Sequence, residues 1–309
     1  MQISRHFPEE PAEAEPEAIG LIGIGLVGTA LAENLLAAGY DVVGFARSPA
    51  SRDRLTRLGG RVVSGPVEVA AEAARVVLSL PDSSIVEQVV AGAEGLLAER
   101  GGLRLILDTT TGEPARTEAL AAQCAANGVM FVDAPISGSS EQIRQRRGVV
   151  LVGGDWAGYD ACLDLLHAVA ERHYYLGGPG AGARAKLASN LILGLNRLAL
   201  AEGLVFAERL GLDLPAFLAM LKTTPAYSCA MDVKGEKMLR GDFAPQSKAA
   251  QHHKDLRIIL NCAAHAGQEL PLAGLHKDIL ESAMASGEGD RDTSIVLQVL
   301  RRMRRQSPT

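Results

Sequence analysis

Two rhythms of apolar positions divide the chain. In the first half, short apolar runs of strand length alternate with stretches spaced as amphipathic helices. An apolar run at 19–22 meets a glycine-rich turn, 30–38 has helical spacing that Gly39 stops, and 41–45 reads as a second strand. The alternation continues with strands at 61–63, 75–80, 103–107 and 129–132 and helices at 66–74, 85–90 and 114–126. A strand at 149–152, a helical stretch at 156–169 and a last strand at 173–176 complete it. Such alternation predicts a parallel sheet covered by helices on both faces.

The segment Gly177-Gly178-Pro179-Gly180-Ala181-Gly182 ends this regime. Beyond it, 183–209 carries one unbroken helical pattern, about 40 Å long, apolar nearly all round and so expected to be buried in a helical domain or dimer core. Further helices are expected at 215–221, 233–239, 246–266, 271–286 and 293–302. The predicted architecture is an α/β Rossmann-type domain over 18–178 and an all-α domain over 179–309, joined through the long helix, after a disordered tail at 1–17.

Bulk properties narrow the class. The 309 residues are 47 % hydrophobic with a formal net charge of −5, which suits a folded two-domain protein and gives no basic surface for nucleic acid. Residues 1–17 are rich in Glu and Pro without an apolar period, hence the expected tail. They show no apolar signal-peptide region, and Asn196, Arg197 and Glu202 interrupt the most apolar long segment, so no membrane span is expected. Cys124, Cys162, Cys229 and Cys262 are scattered without pairing or metal-ligand spacing, which points to a reducing compartment such as the cytoplasm. The tail Arg301-Arg302-Met303-Arg304-Arg305 reads as a solvated helix end.

The glycine turn carries the first chemistry. Gly23, Gly25 and Gly28 stand at the three fingerprint positions of a dinucleotide site, inside a complete strand–helix–strand unit. The helix opening at Leu26 and Val27 offers N–H groups and a positive dipole end to a pyrophosphate. The second strand ends at Phe45-Ala46 without the acidic residue that would accept from an adenine ribose; Asp41 comes too early. Arg47 follows, with Ser48 and Arg52 nearby, a set suited to a 2′-phosphate, so NADP(H) is the expected cofactor and NAD(H) the alternative. Leu80-Pro81, Thr110-Thr111 and Asp133 to Gly138 follow later strands and should line the same crevice.

Three polar groups remain ambiguous from spacing alone. Ser137 and Gly138 offer a hydroxyl and backbone N–H groups to a carboxylate, or form an ordinary loop. Lys186 and Asn190, four apart on the long helix, fit a proton donor with an orienting amide, but fit an exposed polar stripe better. Arg144, Arg146 and Arg147 read as a solvated face before any role in steering an acidic substrate. His252 and His253 are neighbours on a helix and point about 100° apart, so no metal site is expected.

Taken together, G-L-I-G-I-G-L-V-G-T-A-L-A-E-N-L, D-T-T-T-G-E-P at 108–114, D-A-P-I-S-G at 133–138 and G-A-G-A-R-A-K-L-A-S-N at 180–190 resemble the β-hydroxyacid dehydrogenase family, with K-D-L at 254–256 a fainter match. The resemblance spans nearly the whole chain after the tail. It implies hydride transfer at the nicotinamide, a small carboxylate-bearing substrate, and dimers or tetramers joined through the long helix. It implies that Lys186 is the acid/base, that Asn190 orients substrate, that Ser137 and Gly138 bind its carboxylate and that Asp255 lies close to it. Thr111 and Lys254 would lie near the cofactor. Departures surround the same pocket: Ser139-Ser140 replaces a common glycine, an arginine-rich segment follows, and Ser189 precedes Asn190 where a second Asn is common. Two other readings are an imine reductase and a cofactor-binding scaffold without turnover; Lys186 argues against both.

Overall fold

The structure, a computed structural model, describes residues 16–98 and 102–303. Nearly all of the expected N-terminal tail and the last two arginines of the C-terminal run lie outside these residues. The first domain runs β1 (Ala18–Ile22), α1 (Leu26–Ala37), β2 (Asp41–Phe45), α2 (Pro49–Leu58), β3 (Arg61–Val62), α3 (Pro66–Glu72), β4 (Arg75–Leu78), α4 (Ser83–Ala91), β5 (Leu105–Asp108), α5 (Pro114–Ala126) and β6 (Met130–Asp133). The six strands are all parallel, in the order β3-β2-β1-β4-β5-β6. Strand order reverses between β1 and β4, and a crevice at such a switch point is where ligands bind in open α/β sheets. Ile22 is level with both Phe45 and Leu78, so the three strand ends open onto that crevice together. Leu31, Leu35, Leu55 and Leu166 pack in the cluster on one side of the sheet, and Val69, Val86, Val90 and Leu120 in the other.

The alternation does not extend one sheet indefinitely, as the sequence pattern suggests. After β6 come β7 (Ile136–Ser137), α6 (Ser140–Arg144), β8 (Val149–Val152), α7 (Trp156–Asp160), α8 (Leu163–Val169) and β9 (Arg172–Tyr175). β7, β8 and β9 form their own three-stranded sheet, with β7 antiparallel to β8. The chain doubles back through α6 between β7 and β8 instead of crossing over. Residues 133–138, read as a loop from sequence, therefore include a strand. The expected helix at 156–169 is two helices, broken at Ala161-Cys162.

The second domain consists of α9 (Ala181–Arg209), α10 (Leu214–Leu221), α11 (Glu236–Arg240), α12 (Ala249–His265), α13 (Pro271–Ala285) and α14 (Val296–Arg302). Its core joins Leu187, Leu198, Leu204, Leu256, Leu280 and Val296. α9 is long and apolar enough to cross a membrane, yet one of its faces packs on α12, α13 and α14. The opposite face is left uncovered in the single chain, where Ile192 and Phe206 are 62 % and 64 % exposed.

Candidate active site

β1 ends at Gly23, whose φ of 97° is a left-handed conformation that favours glycine. A Cβ there would also come 2.2 Å from the Ser79 carbonyl oxygen, and one on Gly28 would come 1.8 Å from that of Gly23. Gly25, between them, faces open space. α1 begins there with no side-chain cap and no acidic residue in its first turn. The N–H groups around Leu26 and Val27 thus open onto a positively polarised cradle, which fits a dinucleotide pyrophosphate.

At the end of β2, Arg47 is exposed, while Asp41 at the strand's start is bound to Arg61 at 2.8 Å. The Ser48 hydroxyl is engaged: it caps α2 by accepting from Ser51 N at 3.1 Å and donates to Ser51 Oγ at 2.9 Å. Arg52 turns back toward the Ala46 and Arg47 carbonyls at 3.4 Å. That leaves Arg47 as the exposed, unengaged cation at this end of β2 among the described residues. Arg54, which the motif reading overlooked, donates to the Ile24 carbonyl at 3.1 Å and so ties α2 to the glycine turn.

Across the switch point, Leu80 N donates to Thr110 Oγ1 at 3.1 Å, which fixes the exits of β4 and β5 together. Lys254 reaches over from α12 and donates to the carbonyls of Pro81 at 3.0 Å and Thr111 at 2.8 Å. Gln251 also donates to Pro81 O, at 3.3 Å. The K-D-L lysine therefore fastens the helical domain to two strand ends.

The helical wall of the cleft is polar but buried. Lys186 and Asn190 are 7 % and 6 % exposed, which overturns the reading of an exposed stripe. Lys186 Nζ donates to the Ile136 carbonyl at 2.8 Å, next to Ser137 and Gly138. One turn further, Asn190 Nδ2 donates to Asp255 Oδ2 at 3.0 Å. Lys254 Nζ stands 3.2 Å from the other oxygen, an ion contact without hydrogen-bond geometry. Burial pushes the Lys186 pKa down to about 8, with Lys254 adding to the fall and Asp255 opposing it. Burial raises the Asp255 carboxyl, against the pull of Lys254, Lys186 and Asn190.

The departures around this pocket acquire reasons. Ser139 caps α6 in a capping box, accepting from Gln142 N at 3.3 Å while its own N–H donates to Gln142 Oε1 at 2.8 Å. Arg144 is paired with Glu33 of α1 and with Glu141, Arg146 donates to the His167 carbonyl and Arg147 to the Gln145 side chain, so all three arginines are engaged around α6 and its flank. His252 and His253 do point apart: His252 packs against His276 with ring centroids 5.0 Å apart, and His253 lies 3.5 Å from Glu281. Among the described residues no group of three His, Cys, Asp or Glu could hold a metal ion. The sequence placed Asp133 at the crevice but not its role there: its carboxylate accepts from the N–H groups of Gly180 and Ala183, both at 2.8 Å.

Fold and site together define a two-domain oxidoreductase, with a dinucleotide cradle in the first domain and a buried lysine on the long helix of the second. The family model described as the NAD binding domain of 6-phosphogluconate dehydrogenase matches residues 18–177. The model described as NAD-binding of NADP-dependent 3-hydroxyisobutyrate dehydrogenase matches 180–300. The chain is similar to 2-(hydroxymethyl)glutarate dehydrogenase of Eubacterium barkeri, 32 % identical over 92 % of this chain and 95 % of the relative. It is 30 % identical to 2-hydroxy-3-oxopropionate reductase of Escherichia coli over 92 % and 97 %. A crystal structure of 3-hydroxyisobutyrate dehydrogenase from Salmonella typhimurium superposes with a TM-score of 0.83 at 25 % identity, covering 92 % of this chain and 99 % of that one. The chain belongs to the β-hydroxyacid dehydrogenase family and is an NAD(P)-dependent oxidoreductase.

Proposed function

We propose that the protein interconverts a small 3-hydroxy or 2-hydroxy acid and its semialdehyde or keto acid, with NADP(H) as cofactor and Lys186 as general acid/base. The observation that carries this reading is the Lys186 amine: buried, hydrogen-bonded among the described residues to the Ile136 carbonyl alone, and with its pKa brought to about 8. An amine of that pKa holds and releases a proton near neutral pH. The nicotinamide, when bound, supplies the hydride for reduction and takes it in oxidation.

The chain's own residues do the rest. Gly23, Gly25, Leu26, Val27 and Gly28 hold the pyrophosphate, Arg47 meets the 2′-phosphate, and Leu80, Pro81, Thr111 and Lys254 border the nicotinamide end. Ser137 and Gly138 hold the substrate carboxylate. Asn190, itself fixed by Asp255, orients the reacting oxygen. In reduction Lys186 gives that oxygen a proton as the carbonyl carbon gains the hydride, which yields the alcohol; in oxidation it takes the hydroxyl proton. The same amine favours this reading over an imine reductase or a scaffold without turnover.

The assembly we infer is a homodimer or homotetramer, supported by exposed Ile192, Leu193 and Phe206 along α9. Four free cysteines suit a cytoplasmic setting. The experiment is a panel of glyoxylate, succinic, tartronate and methylmalonate semialdehydes with NADPH and with NADH, and a cyclic imine as control. Turnover of at least one acid with NADPH preferred is expected; turnover of the imine alone sinks the reading, and a clear NADH preference sinks the cofactor assignment. Arg47→Ala should lower kcat/KM for NADPH about 10- to 100-fold, the worth of a charge-assisted contact, and leave NADH nearly unchanged.

A further inference from the structure

We propose that Asp133 is the positioning residue of this site: by capping α9 from the end of β6, it sets where the Lys186 amine stands against Ser137 and Gly138. The inference rests on the reading of Lys186 as acid/base. α9 opens after Gly180, and its own N-cap residue has no side chain to satisfy the first N–H groups. The acceptor comes instead from the other domain. Asp133 Oδ1 takes the Gly180 N–H and Oδ2 the Ala183 N–H, each at 2.8 Å. Two oxygens on two N–H groups fix the helix in rotation as well as in height. Asp133 is 2 % exposed; burial raises its carboxyl, against the pull of the Ala183 and Gly180 N–H groups and of Arg184.

The carboxylate is clamped in place. A Cβ on Gly153 would approach its Oδ1 to 2.7 Å, and one on Gly182 would approach Oδ2 to 2.9 Å and the Leu151 carbonyl oxygen to 2.3 Å. Three residues after Asp133, the Ile136 carbonyl receives Lys186 Nζ. The β6 exit thus grips α9 twice, with Pro135 stiffening the chain between the grips and with the carboxylate-holding pair directly after the second. An ordinary cap contributes stability alone. This one makes a single short segment the common reference for the amine and for the substrate's carboxylate.

Asp133→Asn keeps the shape but turns one acceptor into a donor, so one of the two N–H groups loses its partner. Expected is a fall in kcat of about 10- to 100-fold, the effect of an ångström-scale misplacement, with the NADPH Kd unchanged within about twofold. The limb of the pH–rate profile that Lys186 sets should also move. Gly182→Ala overpacks the same joint with the carboxylate intact and should give the same signature; it decides the matter if Asp133→Asn does not fold. A kcat within twofold of wild type with an unmoved limb overturns the proposal, as does a loss shared equally with cofactor binding. Lys186→Ala separates the two levels. If it keeps turnover, the acid/base reading itself fails; if it abolishes turnover while the Asp133 and Gly182 variants are unaffected, only the positioning role fails.

Discussion

Two lysines are buried in the helical domain, and they are bonded in opposite ways. Lys234 is 5 % exposed, and its Nζ lies 2.8 Å from Asp292 Oδ2 and 3.0 Å from Gln246 Oε1. Asp292 is fully buried and accepts in addition from the N–H groups of Gln246, Ser247 and Ser294 and from the Ser294 hydroxyl. Burial works against ionisation of Asp292, yet Lys234 and these donors outweigh it and keep the carboxyl below its ordinary range. Lys186 is almost as buried but has one carbonyl for a partner. The anion nearest in effect, Asp255, is occupied by Asn190 and by Lys254. Burial alone therefore does not mark a functional lysine. The network around Lys234 is closed and holds α11's flank to the segments that lead into α12 and α14; Lys186, among the described residues, has the Ile136 carbonyl alone.

Removing each amine should break the comparison most sharply. Lys186→Ala should lower kcat by about a thousandfold, within the usual range for a positioned acid/base, with NADPH binding retained in a titration. Lys234→Met should leave kcat/KM of the folded enzyme near wild type. It should instead cost about 3–5 kcal/mol of unfolding free energy, because Asp292 would remain as an uncompensated buried charge; denaturant titration measures it.

The pH response sharpens the contrast. A Lys186 pKa of about 8 means that the rate of reduction, which needs the ammonium, falls as pH rises through about 8, while oxidation, which needs the free amine, rises. Pre-steady-state rates in both directions should mirror each other, and Lys186→Ala should lose the limb. The smallest effect concerns stability. An unfolded lysine keeps its proton to about pH 10.4, whereas folded Lys186 releases it near 8. Wild-type stability thus rises with pH between those values, since the unfolded state binds more protons there. Lys186→Met should be more stable than wild type at pH 7 by about 1–2 kcal/mol, and the difference should shrink as pH approaches 10. A Lys186→Met protein less stable at pH 7 would mean that this amine is structural like Lys234.

Much of the nucleotide half was legible in the chain because its signals are local. Gly23 takes a left-handed φ and Gly28 is dictated by clearance to the Gly23 carbonyl, five residues before it, and apolar runs of strand length report burial directly. The β7–β8–β9 sheet was not legible, because an antiparallel return and a parallel crossover of similar length look alike in sequence and only the pairing tells them apart. Ser48 illustrates a second limit: a hydroxyl that could meet a ribose phosphate is the same hydroxyl that caps α2, and only the geometry shows it engaged. Lys186 and Asn190 illustrate a third. Four-residue spacing places two side chains on one face of a helix but says nothing about what covers that face.

By itself, the sequence determined the order of the six strands of the first sheet, the break at the glycine-rich segment before α9 and the glycine turn of the cradle. Each follows from short-range sterics or from a local period of apolar side chains. Tertiary structure alone decided which lysine is closed into an ion pair and which is left poised, and that α9 takes its N-terminal acceptor from a strand 47 residues earlier. Those outcomes depend on which groups share a low-dielectric interior. That is a property of contacts between distant segments, and no local pattern of residues encodes it.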